Sequence, residues 1–166
     1  MVNDAWTIAP WAQVLYACEA AWWDVSGPRA AQFGGECWSS HEPAPKNNND
    51  KTAAAEKHRL KLIDGQAGQG FSFEPNRIHY GDNSGFQAIN LALQFGSEKI
   101  WLLGFDMHHN GKRHFFGDHP AEIHKDSDYT HYIGHFDTAA RLLPEGIEII
   151  NATPGSALQC FPRGKL

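Results

Sequence analysis

The chain has 166 residues and a net charge of −5, with 14 Lys and Arg against 19 Asp and Glu. This length suits a single domain with a real hydrophobic core, and the acidic excess argues against a nucleic-acid groove, because phosphate-binding surfaces usually carry a basic excess. No apolar run approaches the roughly 20 residues that a membrane-spanning helix needs.

The first part of the chain predicts alternating strands and helices. "MVND" is typical of the end of a strand, "WTIAPWAQ" of a short helical or turn segment, and "EAAWWDV" of a short helix between strands at 14–18 and 35–40. Residues 41–52, rich in Pro and Asn, predict a flexible loop. A helix at "KTAAAEKHRL" and a strand at 60–64 should follow.

The glycine-rich stretch "GQAGQGFS" follows that strand. It matches neither the Walker A motif nor the dinucleotide-binding motif G-x-G-x-x-G. Two interpretations remain open, a ligand-contacting loop and a flexible surface loop.

The second part of the chain gives stronger signals. Ser84 stands where a helix N-cap would, "FQAINLALQF" has helical apolar spacing, and Gly96 stands where a helix normally ends. The apolar run at 99–106 predicts a central parallel strand covered on both faces. A helix at "SDYTHYIGHFDTAARLL" and a strand at "GIEIIN" follow. This helix has one apolar stripe, made by Tyr129, Tyr132, Ile133, Phe136, Ala140 and Leu143. We therefore expect one α/β domain over 1–166, with a Rossmann-like, open and mostly parallel sheet flanked by helices.

The three cysteines and the first residues bear on the compartment. Cys18, Cys37 and Cys160 are far apart and form no C-x-x-C pair, which predicts reduced, mostly buried thiols rather than disulfides or a thiolate zinc site. "MVNDAWTIAPW" has neither the basic start nor the apolar stretch of a signal peptide. We expect a cytoplasmic protein.

Residues 83–85, "NSG", are candidates for phosphate binding. A helix N-terminus offers backbone N–H groups and partial positive charge, and Asn83 and Ser84 add polar side chains. The alternative is a plain N-cap. Gly85 favours a ligand, because a glycine in the first turn allows something to approach the backbone closely.

Asp106 follows the apolar run and would lie at the carboxyl edge of the sheet, where ligands bind in open α/β folds. It could hold a magnesium ion or a ribose hydroxyl, or it could simply cap the loop that follows. The first of these interpretations makes Mg²⁺ a candidate cofactor.

The loop at 107–126 is rich in histidine and resembles an active-site loop in composition. It contains half of the ten histidines of the chain, namely His108, His109, His114, His119 and His124. Their spacing follows neither H-x-x-x-H on a helix nor that of a zinc finger. His114 or His119, with Asp118 nearby, could serve as general base toward an acceptor hydroxyl, or the histidines could only hold the loop in place.

Several stretches carry a resemblance to a known family. "VNDAWTIAPWAQVLYACEAAWWD", "IHYGDNSGFQAINLALQFGSEKIWLLGFDMHHNGKRHFFGDHP", "HFDTAARLL" and "IINATPGSALQCFPR" resemble a family of uncharacterised phage and prophage proteins over nearly the whole chain. The resemblance implies expression in the cytoplasm of a bacterial host. Family members usually begin with a further strand and a Gly-Asn-Gly-Pro-Ser-like turn before "VND", so this chain is expected to be shortened at its front.

The "NSG" helix and the strand ending in "GFD" are also similar, more distantly, to two Rossmann-like groups. These are the bacterial sialyltransferases that use CMP-activated sugars and the MptE-like pterin pyrophosphokinases. The first resemblance implies nucleotide contacts from Asn3, Asp4, Asn83, Ser84 and Gly85, and a catalytic base at His114 or His119 with Asp118. The second implies that Asp106, near the nucleotide, helps to hold magnesium.

These observations predict a nucleotide-dependent transferase that moves a sugar from a nucleotide donor to the hydroxyl of a small molecule or glycan. One alternative is magnesium-dependent diphosphoryl transfer from ATP. Another is a non-catalytic binding or remnant domain, in which the open sheet edge at the front of the chain would pair with a second copy. Neither nucleic acid nor a membrane is expected as a partner.

Overall fold

The computed structural model describes residues 1–41, 51–108 and 127–166. Most of the predicted flexible loop at 41–52 and most of the histidine-rich loop at 107–126 therefore lie outside the described residues. The described part is an α/β fold with helices against parallel sheets, which confirms the predicted fold class. None of its helices is both long enough and apolar enough to cross a membrane.

The first half of the chain builds a four-stranded sheet. Its strands lie in chain order and pair in parallel: β1 (Val14–Tyr16), β2 (Glu36–His41), β3 (Lys61–Gln66) and β4 (Arg77–His79). The helices α1 (Ala20–Ala30) and α2 (Lys51–His58) connect the first three strands and contact each other. Parallel strands need long crossover connections, and α1 and α2 provide them between β1 and β2 and between β2 and β3. The alternation of strands and helices in the sequence predicted this arrangement.

The second half adds two helices and a second, smaller sheet. Helix α3 (Ser84–Gln94) leads to β5 (Lys99–Leu102), and helix α4 (Tyr129–Arg141) precedes β6 (Glu148–Asn151). β5 and β6 pair in parallel, and the opposed Lys99 and Glu148 side chains form an ion pair of 2.8 Å. The helices predicted for this half and the strand predicted at "GIEIIN" are confirmed.

Helix α3 joins the two sheets because it has apolar side chains on two sides. Leu91 packs with the four-stranded sheet, in a cluster that contains Tyr16, Ile63 and Ile78. Phe86 and Ile89 pack instead into the core of the second half, a cluster whose other buried members are Phe71, Leu102, Met107, Phe136, Ala139, Ile149, Leu158 and Phe161. The N-terminal end of α3 is thereby held between the two halves.

The predicted apolar stripe of α4 is confirmed. Phe136 is fully buried, and its companions on the stripe pack partly buried against the same core. They are Tyr129, Tyr132, Ile133, Ala140 and Leu143.

The prediction of one long central strand at 99–106 is wrong. β5 ends at Leu102, and it pairs within the described residues with β6 alone, in a separate two-stranded sheet. Gly104 has a φ of 75°, a left-handed conformation that ends the extended backbone, and Leu103 is 61% exposed. The apolar run continues in the sequence, but the chain turns away.

Three smaller differences concern local chemistry. Strand β4 was not predicted, because only Ile78 in its three residues is apolar. The N-cap of α3 is Asn83 rather than Ser84, since the Asn83 side chain accepts a hydrogen bond from the Phe86 amide. Cys18, Cys37 and Cys160 are free thiols, as predicted, but each is only partly buried.

The first residues support the strand-end interpretation of "MVND". Val2 forms an isolated parallel bridge with Tyr16, beside β1. A short 3-10 helix, Asn3–Thr7, follows at once.

Candidate functional site

The candidate site lies at the carboxyl edge of the four-stranded sheet. All four strands run in the same direction, so the segments that follow β1 and β4 emerge at the same edge. The turn after β4 leads directly into α3, and the segment after β1 leads into α1. In open parallel sheets, ligands bind at this edge.

Ser84 links the segments that follow the two outer strands of this sheet, β1 and β4. Its hydroxyl donates to the Cys18 sulfur at 2.9 Å and accepts from the Cys18 backbone N–H at 3.2 Å. Cys18 lies two residues beyond β1, whereas Ser84 begins α3. The start of α3 is thus fixed against the end of β1, although β1 and β4 lie at opposite sides of the sheet.

A buried polar network also holds α3 against the four-stranded sheet. The Tyr16 hydroxyl donates to Gln87 Oε1 at 2.6 Å, and the Ser40 hydroxyl reaches the same oxygen at 3.3 Å. Gln87 lies in the first turn of α3. Since these groups are buried, the bonds add specificity to how α3 sits on the sheet.

Asn3 and Asp4, both predicted to contact a nucleotide, have different surroundings. Asn3 directly follows Val2, which pairs with Tyr16, so it emerges at the same sheet edge as Cys18. Asp4 is 5% exposed and accepts from Trp22 Nε1 at 3.0 Å and from Arg29 at 3.2 Å. Asp4 therefore fastens the 3-10 helix to α1.

Gly85 has a close neighbour within the protein. A Cβ atom at this position would lie 2.8 Å from the Phe105 ring and 2.9 Å from Asn83 Oδ1. The close approach that the sequence suggested for a ligand is made by Phe105, so packing explains this glycine.

Asp106 is exposed in the loop after β5. Its backbone carbonyl accepts from the Ala157 amide at 2.7 Å. In the part of the chain that the structure describes, Asp106 belongs to no group of side chains suited to hold a metal ion. His114, His119 and Asp118, predicted as catalytic residues, lie outside the described residues.

The glycine-rich stretch also packs within the protein. Gln66 belongs to β3, so the strand runs two residues further than predicted. His79 donates to the Gly70 carbonyl at 3.0 Å, and a Cβ at Gly68 would overlap the His79 ring. The contact with His79 accounts for Gly68, and a left-handed φ of 65° accounts for Gly70, without a ligand.

A second group of polar side chains lies beside the start of α3. Asp82, in the turn before α3, meets His131 and His135 of α4. His131 Nε2 lies 2.8 Å from Asp82 Oδ2, and His135 Nε2 lies 3.2 Å from His131 Nε2 and 3.7 Å from Asp82 Oδ2. We call these three residues the Asp–His cluster.

The cluster shares its surroundings with the sheet edge. The pKa of the Tyr132 hydroxyl is raised, first by burial and then by the negative charges of Glu19, Cys18, Asp82 and Asp128. Glu19 precedes α1, and Asp128 precedes α4. Carboxylates from the segments that precede α1, α3 and α4 therefore act together on Tyr132.

The cysteines away from this edge are poor nucleophiles. Burial and the neighbouring Asp137 carboxylate raise the pKa of the Cys160 thiol to about 12. Burial likewise raises the pKa of Cys37. A thiol is reactive as its thiolate, so both side chains are suited to packing rather than to catalysis.

Sequence reasoning missed the Asp–His cluster, although one signal was available. His131 and His135 have the spacing H-x-x-x-H within a predicted helix, and residues four apart lie on the same helix face. The histidines predicted as functional lie instead in the loop at 107–126, where this spacing does not occur. Asp82 carried no signal, because only the fold brings it to α4.

Comparison with known proteins gave no match: no family model, no curated protein and no solved structure is similar to this chain.

Proposed function

We propose that this protein is a nucleotide-dependent transferase that binds its nucleotide at the carboxyl edge of the four-stranded sheet. One observation supports this most directly, the pair of hydrogen bonds between Ser84 and Cys18. They hold the N-terminal end of α3, with its backbone N–H groups and partial positive charge, at the position where a nucleotide phosphate would bind.

The reaction we propose is glycosyl transfer to an acceptor hydroxyl. The acceptor oxygen attacks the anomeric carbon, the bond from that carbon to the nucleotide breaks, and a histidine takes the hydroxyl proton. His114 and His119 are the proposed bases, with Asp118 to orient the imidazole. Asn3 and Asn83 would contact the nucleotide, which leaves carrying the negative charge that α3 stabilises.

Nucleotide binding is tested by measuring the thermal unfolding midpoint with CMP, CDP, UDP, GDP and ATP, each with and without Mg²⁺. A ligand that binds only the folded protein raises the midpoint. A metal-independent shift with a pyrimidine nucleotide is the expected result. A shift with ATP and Mg²⁺ alone would replace glycosyl transfer by diphosphoryl transfer, and no shift at all would contradict nucleotide binding.

Substitution of Ser84 locates the binding site. Ser84→Ala should weaken nucleotide binding by about fivefold, since a hydrogen bond contributes about 1 kcal/mol. Ser97→Ala, beyond the opposite end of α3, is the matched control and should bind normally. Affinities should be measured by titration calorimetry, with circular dichroism to establish that both variants fold.

The His119→Ala variant should bind nucleotide as the natural chain does, but it should lose turnover.

A further inference from the structure

We propose that the Asp–His cluster, Asp82 with His131 and His135, is a binding site for a divalent transition-metal ion, with zinc(II) as the best fit. The proposal concerns metal binding only, and it does not depend on the nucleotide.

The three ligand atoms have the spacing of a tetrahedral site. The distances between them are 2.8, 3.2 and 3.7 Å. Their mean, about 3.2 Å, is close to the roughly 3.3 Å between ligands of a tetrahedral zinc ion, for which metal–ligand distances are about 2.0–2.2 Å. An ion about 2 Å from all three atoms would lie slightly above their plane, as the apex of three tetrahedral bonds does.

A single hydrogen bond cannot serve both contacts of His131 Nε2. Each neutral imidazole carries one N–H, and each Nε2 offers either that proton or one lone pair. His131 Nε2 faces both the Asp82 carboxylate, which needs a donor, and His135 Nε2. It cannot donate to the carboxylate and also accept from the second ring. A metal ion removes this conflict, because all three atoms then act as electron-pair donors.

The surrounding structure orients the ligands before any ion binds. The Asp128 side chain accepts from the His131 amide and caps α4, which fixes the first turn of that helix. The His135 ring packs edge-on against the buried Phe86 ring of α3, with centroids 6.2 Å apart. Preorganised ligands bind a metal with less loss of side-chain entropy.

The chemistry of the ligands selects the ion. Imidazole nitrogen suits zinc, copper, nickel and iron, whereas Mg²⁺ prefers an octahedral set of oxygen atoms. The Asp128 carboxylate, which accepts from the His131 amide at 3.0 Å, adds negative charge that attracts a cation. Two histidines and one carboxylate leave a fourth position open, as in catalytic rather than structural zinc sites.

The test uses the full chain after treatment with a chelator. Zinc(II) affinity is measured by competition with a coloured zinc indicator, and cobalt(II) is added separately to record its visible absorption, which reports coordination geometry. The expected result is one equivalent of zinc per chain, a tetrahedral cobalt spectrum and a raised thermal unfolding midpoint with zinc. Failure to bind zinc would overturn the proposal.

Variants assign the metal to these residues. The double variant His131→Ala, His135→Ala should lose more than about 100-fold in zinc affinity, beyond the 10- to 100-fold typical of lost outer-shell partners. Asp82→Asn should also weaken binding and change the cobalt spectrum. The matched control replaces His109, His114, His119 and His124 by Ala and should bind zinc as the natural chain does.

The opposite pattern would overturn the proposal. If the double variant binds zinc normally, or if only the four-histidine control loses binding, the ion is held elsewhere. Circular dichroism of each variant separates loss of binding from loss of folding.

Discussion

The polar side chains around α3 form two regions that differ in how their atoms are bonded. In the buried region, Asn90 is fully enclosed, and it accepts from the Ser72 and His79 amides at 2.8 and 2.9 Å while donating to the Ser72 carbonyl at 2.8 Å. In the Asp–His cluster, three side chains converge on one point at the surface, where hydrogen bonding leaves them in conflict.

This difference separates polar groups that stabilise the fold from polar groups that are available to a ligand. A buried polar group must find partners within the protein, because an unpaired one costs free energy on folding. An exposed group has water available and is not forced to converge with others. Convergence at the surface therefore indicates a ligand more strongly than the presence of the same residue types in the core.

The largest expected effect comes from the buried region. Asn90→Ala would leave two buried amide donors without a partner, and each should cost about 1–3 kcal/mol, so we expect the free energy of unfolding to fall by about 3 kcal/mol or more. Urea denaturation measures this value. Gln32→Ala, at an exposed position after α1, should change it by less than about 0.5 kcal/mol. A change of less than about 1 kcal/mol for Asn90→Ala would contradict the view that buried polar groups here depend on partners within the protein.

An intermediate effect is expected at Gly85, which lies between the two regions. Gly85→Ala should destabilise the protein by about 1–3 kcal/mol, because the new methyl group would overlap the Phe105 ring. In a Phe105→Ala background, the same substitution should cost less, because only the close contact with Asn83 Oδ1 remains. Equal costs in both backgrounds would show that Phe105 is not the reason for this glycine.

The smallest expected effect comes from the cluster itself. His131→Ala, measured by urea denaturation in the presence of a chelator, should change the free energy of unfolding by less than about 1 kcal/mol. The His131 and Asp82 side chains are 50% and 62% exposed, and exposed ion pairs contribute about 0–1 kcal/mol. A loss as large as that of Asn90→Ala would make the cluster a structural feature.

The sequence alone determined the elements with strong local patterns. The apolar spacing at Phe86 and Ile89 predicted α3, the stripe around Phe136 predicted α4, and the alternation of strands and helices predicted a parallel α/β fold. These predictions succeeded because helical and strand periodicity are local properties, set by residues a few positions apart.

Only the tertiary structure decided which residues meet. β5 ends before the turn at Gly104 and does not take the predicted central position in the sheet. Asp4, predicted to contact a nucleotide, instead accepts hydrogen bonds from Trp22 and Arg29. Asp82 and His131 are 49 positions apart, and no local pattern records that they lie 2.8 Å from each other. Such contacts depend on how α3 and α4 pack, which is fixed by the whole core rather than by the sequence around either residue.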